Sequence, residues 1–354
     1  MKKFFLRISI IIAVLLAAYF IWSHTGRATE KETGWSKLPE FKARFEYVEV
    51  GVDSDKGNVI GIQPFLTATS YSTAFNFEVS LRFYFEQLKR ENKLTDKSIV
   101  VLPAYIGTWL VAANEKEKIY KQETIEQAMT TMVRSNLFSF LYGYLTSPAK
   151  DKWKYAVFHL KAEKMAKQYQ QVFSTLAKEY KCMIVAGSIL LPDASTDNKG
   201  NLQIRQGAPL YNTSVVFDSN GTIIQPLVKK LFPVKDEEEF TANADSNQKS
   251  LFQTKAGKMG LLIGADSWHK QSYKHITTAD FLVNASFSDK DSIQLHSMVK
   301  QAKEAHILQG MNVFFTGSLW DMKPEGKVLI FQNDSKTVLP ASVGKGRIVN
   351  LFLQ

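Results

Sequence analysis

From Asn58 onward, short runs of β-branched and aliphatic residues alternate with longer stretches whose apolar residues recur at helical spacing. That alternation constrains the fold more than any other feature. The run NVIGIQPF reads as a strand, and Phe75 to Lys89 follows as a helix with Phe77, Leu81, Phe85 and Leu88 on one face. SIVVLPA is the next strand. Residues 161–181 form a lysine-rich amphipathic helix with Met165, Tyr169, Phe173 and Leu176 inward, and CMIVAGSILL follows as a strand. LYNTSVVFDSNGTIIQPLVKKLF reads as a hairpin, because Asn220-Gly221 supplies the positive φ angles that a tight turn needs. MGLLIGA, FLVNAS and NVFFTGS complete the strands, with a helix from Ser292 to Gln309 between the last two. The pattern predicts an α/β protein whose mixed sheet carries helices on its faces.

The N-terminus imposes a second constraint. In MKKFFLRISIIIAVLLAAYFIWS, Lys2, Lys3 and Arg7 precede an apolar run from Ile8 to Trp22 that only Ser9 interrupts. At 1.5 Å per residue this run falls short of a ~30 Å hydrocarbon core, but Phe4 to Leu6 lengthen it and Arg7 can snorkel. Tyr19, Phe20 and Trp22 suit a membrane interface better than the small residues of a peptidase cleavage site. The expectation is a membrane contact through residues 4–22, within a signal anchor at 1–23; a cleaved signal peptide is the alternative. Basic residues on the N-terminal side keep that end in the cytoplasm, which sends the rest to the periplasmic side of an inner membrane or to the cell surface. The polar, turn-rich segment at 24–44 reads as a tether and residues 45–354 as the globular domain.

A net charge of +10 raises the question of an anionic partner, yet lysines and acids are interspersed from Lys89 to Lys181. The excess reads as solvated surface facing anionic lipid, and no nucleic acid is expected. No zinc spacing, Walker loop or dinucleotide fingerprint is present, so neither a metal nor a cofactor is expected. The single Cys182 fits an exported chain without disulfides. An aromatic-rich insertion at about 115–160 includes NLFSFLYGYLTS. It reads either as a buried helical hairpin or dimer contact, or as an apolar lid or second membrane-touching surface.

The ordered segments GIQPF, VLPAYIGTW, IVAGS, YNTSVVFDSNG, KKLFP, GLLIGADSW and ADFLVNASF resemble the nitrilase, or carbon-nitrogen hydrolase, superfamily, over nearly all of the chain from Asn58. The resemblance implies a four-layer αββα sandwich, here preceded by one N-terminal apolar helix, and a homodimer. It also implies covalent chemistry: a cysteine attacks a nitrile or amide carbon, a glutamate moves the proton, and a lysine supports the oxyanion. In the family the glutamate follows a proline, where this chain has Pro103-Ala104. The cysteine follows an aliphatic strand, where this chain has Ile263-Gly264-Ala265-Asp266. VKKLFP offers Lys229 or Lys230, shifted from the strict lysine position.

The glutamate base and the cysteine nucleophile are thus absent by this alignment. Ser267 with either lysine is a weak substitute, because three residues past the elbow displaces a hydroxyl by far more than the ~1 Å that can cost ~10²-fold in rate. Glu237, Glu238 and Glu239 stand where the family often has a supporting glutamate, or form a solvated acidic run. Asp266 is expected to bond local backbone groups and Trp268 to pack; with Tyr105 and Trp109 they are candidate ligand-binding residues, although Tyr105 and Trp109 could equally fill the core. The resulting expectation is a pseudoenzyme that binds a small amide- or carboxylate-like ligand, or serves as an assembly partner. The alternative is a divergent amidase acting on linear amide bonds.

Overall fold

The computed structural model describes residues 2–30, 45–287 and 295–354. Two sheets form its centre. The first runs in the order β1 (Phe45–Val50), β18 (Gly346–Phe352), β2 (Asn58–Gln63), β4 (Ser98–Val101), β5 (Met183–Val185), β9 (Leu210–Phe217), β10 (Ile223–Lys229), with β6 (Ile189–Pro192) also on β9. The second runs β11 (Leu251–Thr254), β12 (Gly257–Ile263), β13 (Phe281–Ala285), β14 (Gln309–Val313), β16 (Val328–Gln332), β17 (Ser335–Leu339). Two short ladders, β3 (Phe65–Thr67) with β15 (Thr316–Ser318) and β7 (Ser195–Thr196) with β8 (Leu202–Gln203), lie apart from them.

Side chains alternate along a strand, so each sheet presents two faces. Ile60, Ile62, Val100 and Ile184 turn outward beneath α2 (Ala74–Arg90) and α6 (Ala162–Tyr180). Their neighbours Val59, Ile99, Val101 and Val185 turn inward against Met259, Leu261, Phe281, Val283 and Met311 of the second sheet. The far face of that sheet, through Leu262, Leu282 and Phe331, packs on Met298 and Ala302 of α7 (Leu295–Glu304). The layers are therefore helix, sheet, sheet, helix, the αββα sandwich that the motif order implies. β12, β13 and β14 pair in parallel, with Leu262 opposite Asn284 and Asn284 opposite Asn312. Buried on both faces, such strands read as continuous apolar runs, which is how they appear in the sequence.

Two expected strands are each broken in two. CMIVAGSILL gives β5 and β6, separated at Gly187, whose φ of +66° and whose approach to the Pro103 carbonyl oxygen leave no space for a Cβ. NVFFTGS divides between β14 and β15. The helix expected from Ser292 corresponds to α7, with residues 292–294 outside the described residues.

The insertion folds as α3 (Ile125–Ser135), α4 (Leu137–Thr146) and α5 (Lys152–His159). α4 and α5 form a helical hairpin in which Gly143 sits against Ala156 and Phe140 stands edge-on to Trp153. The hairpin is only half buried, because Phe140 and Gly143 are the buried residues of α4.

The apolar helix α1 (Lys2–His24) spans 23 residues, about 34 Å at the α-helical rise. The chain just after it is not a loose tether. Gly26 and Ala28 exchange backbone hydrogen bonds with Glu117 and Glu115, and Lys116 Nζ donates to the Trp22 and Thr25 carbonyls that close the helix. A cation at the exposed carbonyls of a helix C-terminus is favourable. The expected tether is thus corrected over residues 25–30; its part at 31–44 lies outside the described residues.

Candidate functional site

The C-terminal ends of β4, β10 and β12 converge at one corner between the two sheets. After β4 the chain passes through Pro103 and Ala104, the Ala104 amide donating to the Ser286 carbonyl at 3.0 Å and the Tyr105 amide to Ser188 Oγ at 2.8 Å. The corner backbone is held from both sheets. Gly264, at the end of β12, takes a φ of +53°. Asn284 Nδ2 stands 3.2 Å from the Gly264 carbonyl oxygen, 3.0 Å from Ser267 Oγ and 3.1 Å from Ser286 Oγ, so one buried amide ties the turn after β12 to the end of β13.

The two candidate lysines separate. Lys229 turns away from the corner, donating to Asp193 Oδ1 at 2.5 Å and lying 4.7 Å over the Tyr211 ring, and its charge holds the Asp193 carboxyl below the usual range. Lys230 turns inward and is 4% exposed. Its ammonium donates to Glu237 Oε2 at 2.6 Å, the Val234 amide donates to the same oxygen at 3.0 Å, and Tyr105 donates its hydroxyl to Glu237 Oε1. Glu237 is therefore not part of a solvated acidic run, although Glu238 and Glu239 are exposed. The sequence signal for this pair was the glutamate run after the lysines, where the resemblance implies a supporting glutamate.

Asp266 is buried, and its partners are distant in sequence rather than local: it accepts from the Leu231 amide at 3.0 Å and the Phe232 amide at 2.8 Å. It fixes the chain after Lys230 against the turn after Gly264. Burial pushes its carboxyl up to about 7, against the opposing pull of those amides and of the Lys230 charge.

The remaining candidates fall as follows. Ser267 has no lysine partner among the described residues: its hydroxyl donates to the Gly264 carbonyl at 2.9 Å, faces Asn284 and is 1% exposed. Trp109 leaves the corner for the helix-side core, where its ring lies 6.1 Å from that of Trp320. Trp268 is half buried. Tyr105 joins Lys230 and Glu237 through its hydroxyl, beside Asp266, and its φ of +61° marks a backbone held in the left-handed region. Cys182 faces the helix-side core on the other side of the first sheet, and burial pushes its thiol up to about 12, so it supplies no thiolate at neutral pH.

Sequence reasoning missed a second ionic cluster. Glu115, fully buried, receives Arg27 at 3.0 Å and Lys161 at 2.9 Å, with Asn136 Nδ2 at 3.0 Å and Ser135 Oγ at 3.2 Å. Burial lowers the Lys161 ammonium to about 8 despite Glu115. An open cleft of about 690 Å³ lies beside this cluster, lined in part by His24, Glu30, His159 and Lys164.

The family's model for carbon-nitrogen hydrolases matches residues 103–307, and the chain belongs to that family. No curated protein sequence matches it. Among solved structures it is similar to an amidase of Nesterenkonia AN1 from the nitrilase superfamily, at 9% identity and a TM-score of 0.55 over 86% of this chain and 94% of that one. It is similar to a carbon-nitrogen hydrolase of Helicobacter pylori G27 at 14% identity and a TM-score of 0.51, over 83% and 88% of the two chains. It is also similar to Saccharomyces cerevisiae Nit3, a member of branch 10 of that superfamily, at 16% identity and 0.50, over 83% and 88%. At such identities the likeness establishes the fold.

Proposed function

We propose that this chain is a membrane-anchored, extracytoplasmic pseudoenzyme of the carbon-nitrogen hydrolase family, acting by binding or assembly instead of hydrolysis. One observation carries the proposal. The corner that would hold the chemistry is assembled and closed, yet Ala104 and Gly264 bring no base and no nucleophile, and Lys230 is neutralised by Glu237. A divergent amidase would need a new nucleophile, and the Ser267 hydroxyl is committed to the Gly264 carbonyl.

Both candidate lysines have carboxylate partners, which weakens the case for a carboxylate ligand. A neutral amide fits better. On β9 the side-chain amide of Asn212, with both its donor and its acceptor unpaired among the described residues, and the unpaired Ser214 hydroxyl are buried on the strand that pairs with β10. Buried polar atoms of this kind call for a partner of matching chemistry. The anchor reading draws on α1, the basic residues before it and the aromatic residues at its end.

The test is ammonia release by the full chain in detergent against a panel of amides and nitriles, beside the Ala104→Glu/Gly264→Cys variant. Silence from the parent with turnover by the variant is the expected result. Turnover by the parent would sink the pseudoenzyme reading. A thermal shift of the parent by amides but not by carboxylates is the expected mark of the ligand class.

A further inference from the structure

We infer that α4 is a second membrane contact, a short helix lying in the lipid interface beside the outer end of α1; the inference rests on the reading of α1 as a membrane anchor. The stretch LFSFLYGYLT carries no charged residue. Its exposed apolar residues Leu137, Phe138, Leu141, Tyr142 and Leu145 recur at the spacing of one helix face, opposite buried Phe140 and Gly143. Phe138 is 51% exposed and Leu145 78% exposed, an apolar face that a soluble surface rarely presents.

The occupant follows from what α4 is joined to. Phe138 stacks 5.8 Å from the Phe20 ring and stands edge-on 5.6 Å from Tyr19, the aromatic residues that mark the interfacial end of α1. The Tyr19 hydroxyl donates to the Arg134 carbonyl at 3.2 Å and accepts the Leu137 amide at 3.0 Å, so α1 itself closes the α3–α4 corner. Arg27 donates to the Ser135 carbonyl at 3.0 Å and to Asn136 Oδ1 at 3.1 Å, which locks that corner from the other side. With α1 inserted, α4 is held at the depth where α1 leaves the hydrocarbon. Exposed Arg134 before α4 and exposed Lys150 and Lys152 after it complement an anionic headgroup layer. Ten residues, about 15 Å long, cannot cross a bilayer, and a helix of this composition lies in its surface.

The test uses the full chain carrying Cys182→Ala, reconstituted in phosphatidylcholine–phosphatidylglycerol vesicles. Nitroxide labels are placed singly through Leu141→Cys, Leu145→Cys, Leu15→Cys on α1 and Val343→Cys, an exposed apolar site elsewhere. Collision rates with oxygen, which partitions into lipid, and with a water-soluble nickel chelate give the depth of each label. The labels at 141 and 145 are expected to favour oxygen severalfold over the ratio at 343. A nickel-dominated ratio at 141 and 145, matching 343, overturns the inference. So does protection from both reagents, which would mean that a second copy or another protein covers the face. The label at 15 separates the two readings: oxygen-dominated there with nickel-dominated α4 labels removes the α4 contact alone, whereas nickel-dominated at all sites removes the anchor as well.

Discussion

Two buried ionic clusters invite comparison. In the corner between the sheets one lysine, Lys230, meets one glutamate, Glu237, with Tyr105 closing the other carboxylate oxygen. At the base of α1 one glutamate, Glu115, lies between two cations, Arg27 and Lys161, and takes the Asn136 amide as well. On the proposed reading the first cluster stands where the family does its chemistry; the second ties the apolar helix to the insertion. Buried charge does not by itself mark a reactive site: the corner pair balances one to one, whereas the clasp sets two cations on one carboxylate. The difference is in the neighbours: on the proposed reading the corner supports a reacting group that Ala104 and Gly264 do not supply, while the clasp has support and load in the same residues.

The largest effect is therefore expected at the clasp. Glu115→Ala leaves Arg27 and Lys161 facing each other in a buried space, and breaking such a triad is expected to cost about 4–5 kcal/mol of unfolding free energy. Denaturant unfolding of the full chain in detergent measures it. A loss below about 1 kcal/mol would show that the attachment of α1 does not depend on this cluster. In the corner, Lys230→Met strands Glu237 with only the Val234 amide and the Tyr105 hydroxyl, and is expected to cost about 3 kcal/mol. The double variant Lys230→Met/Glu237→Leu should return to within about 1 kcal/mol of the parent, since no charge is then left unpaired. Failure of that rescue would mean that the pair does more than neutralise itself.

The two regions should also differ in the pH window through which they act. Asp266 is raised from an ordinary 3.8 to about 7, so between these values the folded chain binds a proton that the unfolded chain has released. Stability from this group is complete below pH 4 and is lost as pH rises through 7. Lys161 is lowered from 10.5 to about 8, so between these values it is the unfolded chain that keeps the extra proton. Stability from it is complete above pH 10.5 and is lost as pH falls through 8. Each limb is expected to be worth on the order of 3–4 kcal/mol. Asp266→Asn should flatten the lower limb alone and Lys161→Met the upper limb alone; a common response to either variant would merge the two regions into one unit.

What the sequence made legible follows from how local each signal is. The strands β2, β4, β12 and β13 and the helices α2 and α6 announced themselves because their periodicity is set by faces buried along their whole length. β1 and β18 did not, since their pairing joins residues some three hundred positions apart, with Phe45 opposite Gly346. Ala104 and Gly264 were found by position in ordered motifs, and the structure brings their segments together. Lys230 could not be told from Lys229, because adjacent residues of a strand face opposite ways and only the register with β9 fixes which way. Glu237 could not be told from Glu238 and Glu239 for a related reason: a run of three glutamates looks solvated, and only the fold after Pro233 directs the first of them inward. The Glu115 clasp left no signal, as its members are scattered over residues 27, 115, 136 and 161.

The smallest expected effect bears on how the corner came to hold glycine. Gly264 has a φ of +53°, a left-handed conformation that glycine adopts freely and that an L-residue enters at a penalty of roughly 1–2 kcal/mol. Gly264→Ala is therefore expected to destabilise the chain by about 1 kcal/mol, read by the same unfolding measurement, with Ala265→Gly as a neighbouring control that carries no such strain term. A residue that performs chemistry at this turn must hold the strained conformation against that penalty, and such strain persists where the surrounding structure over-determines it. Here Asn284 holds the turn through the Gly264 carbonyl and Ser286. Glycine relieves strain there without disturbing these hydrogen bonds, so on the proposed reading exchange of a nucleophile for Gly264 would stabilise the fold. A neutral Gly264→Ala would remove that account, because the turn would then accept a side chain as readily as it accepts none.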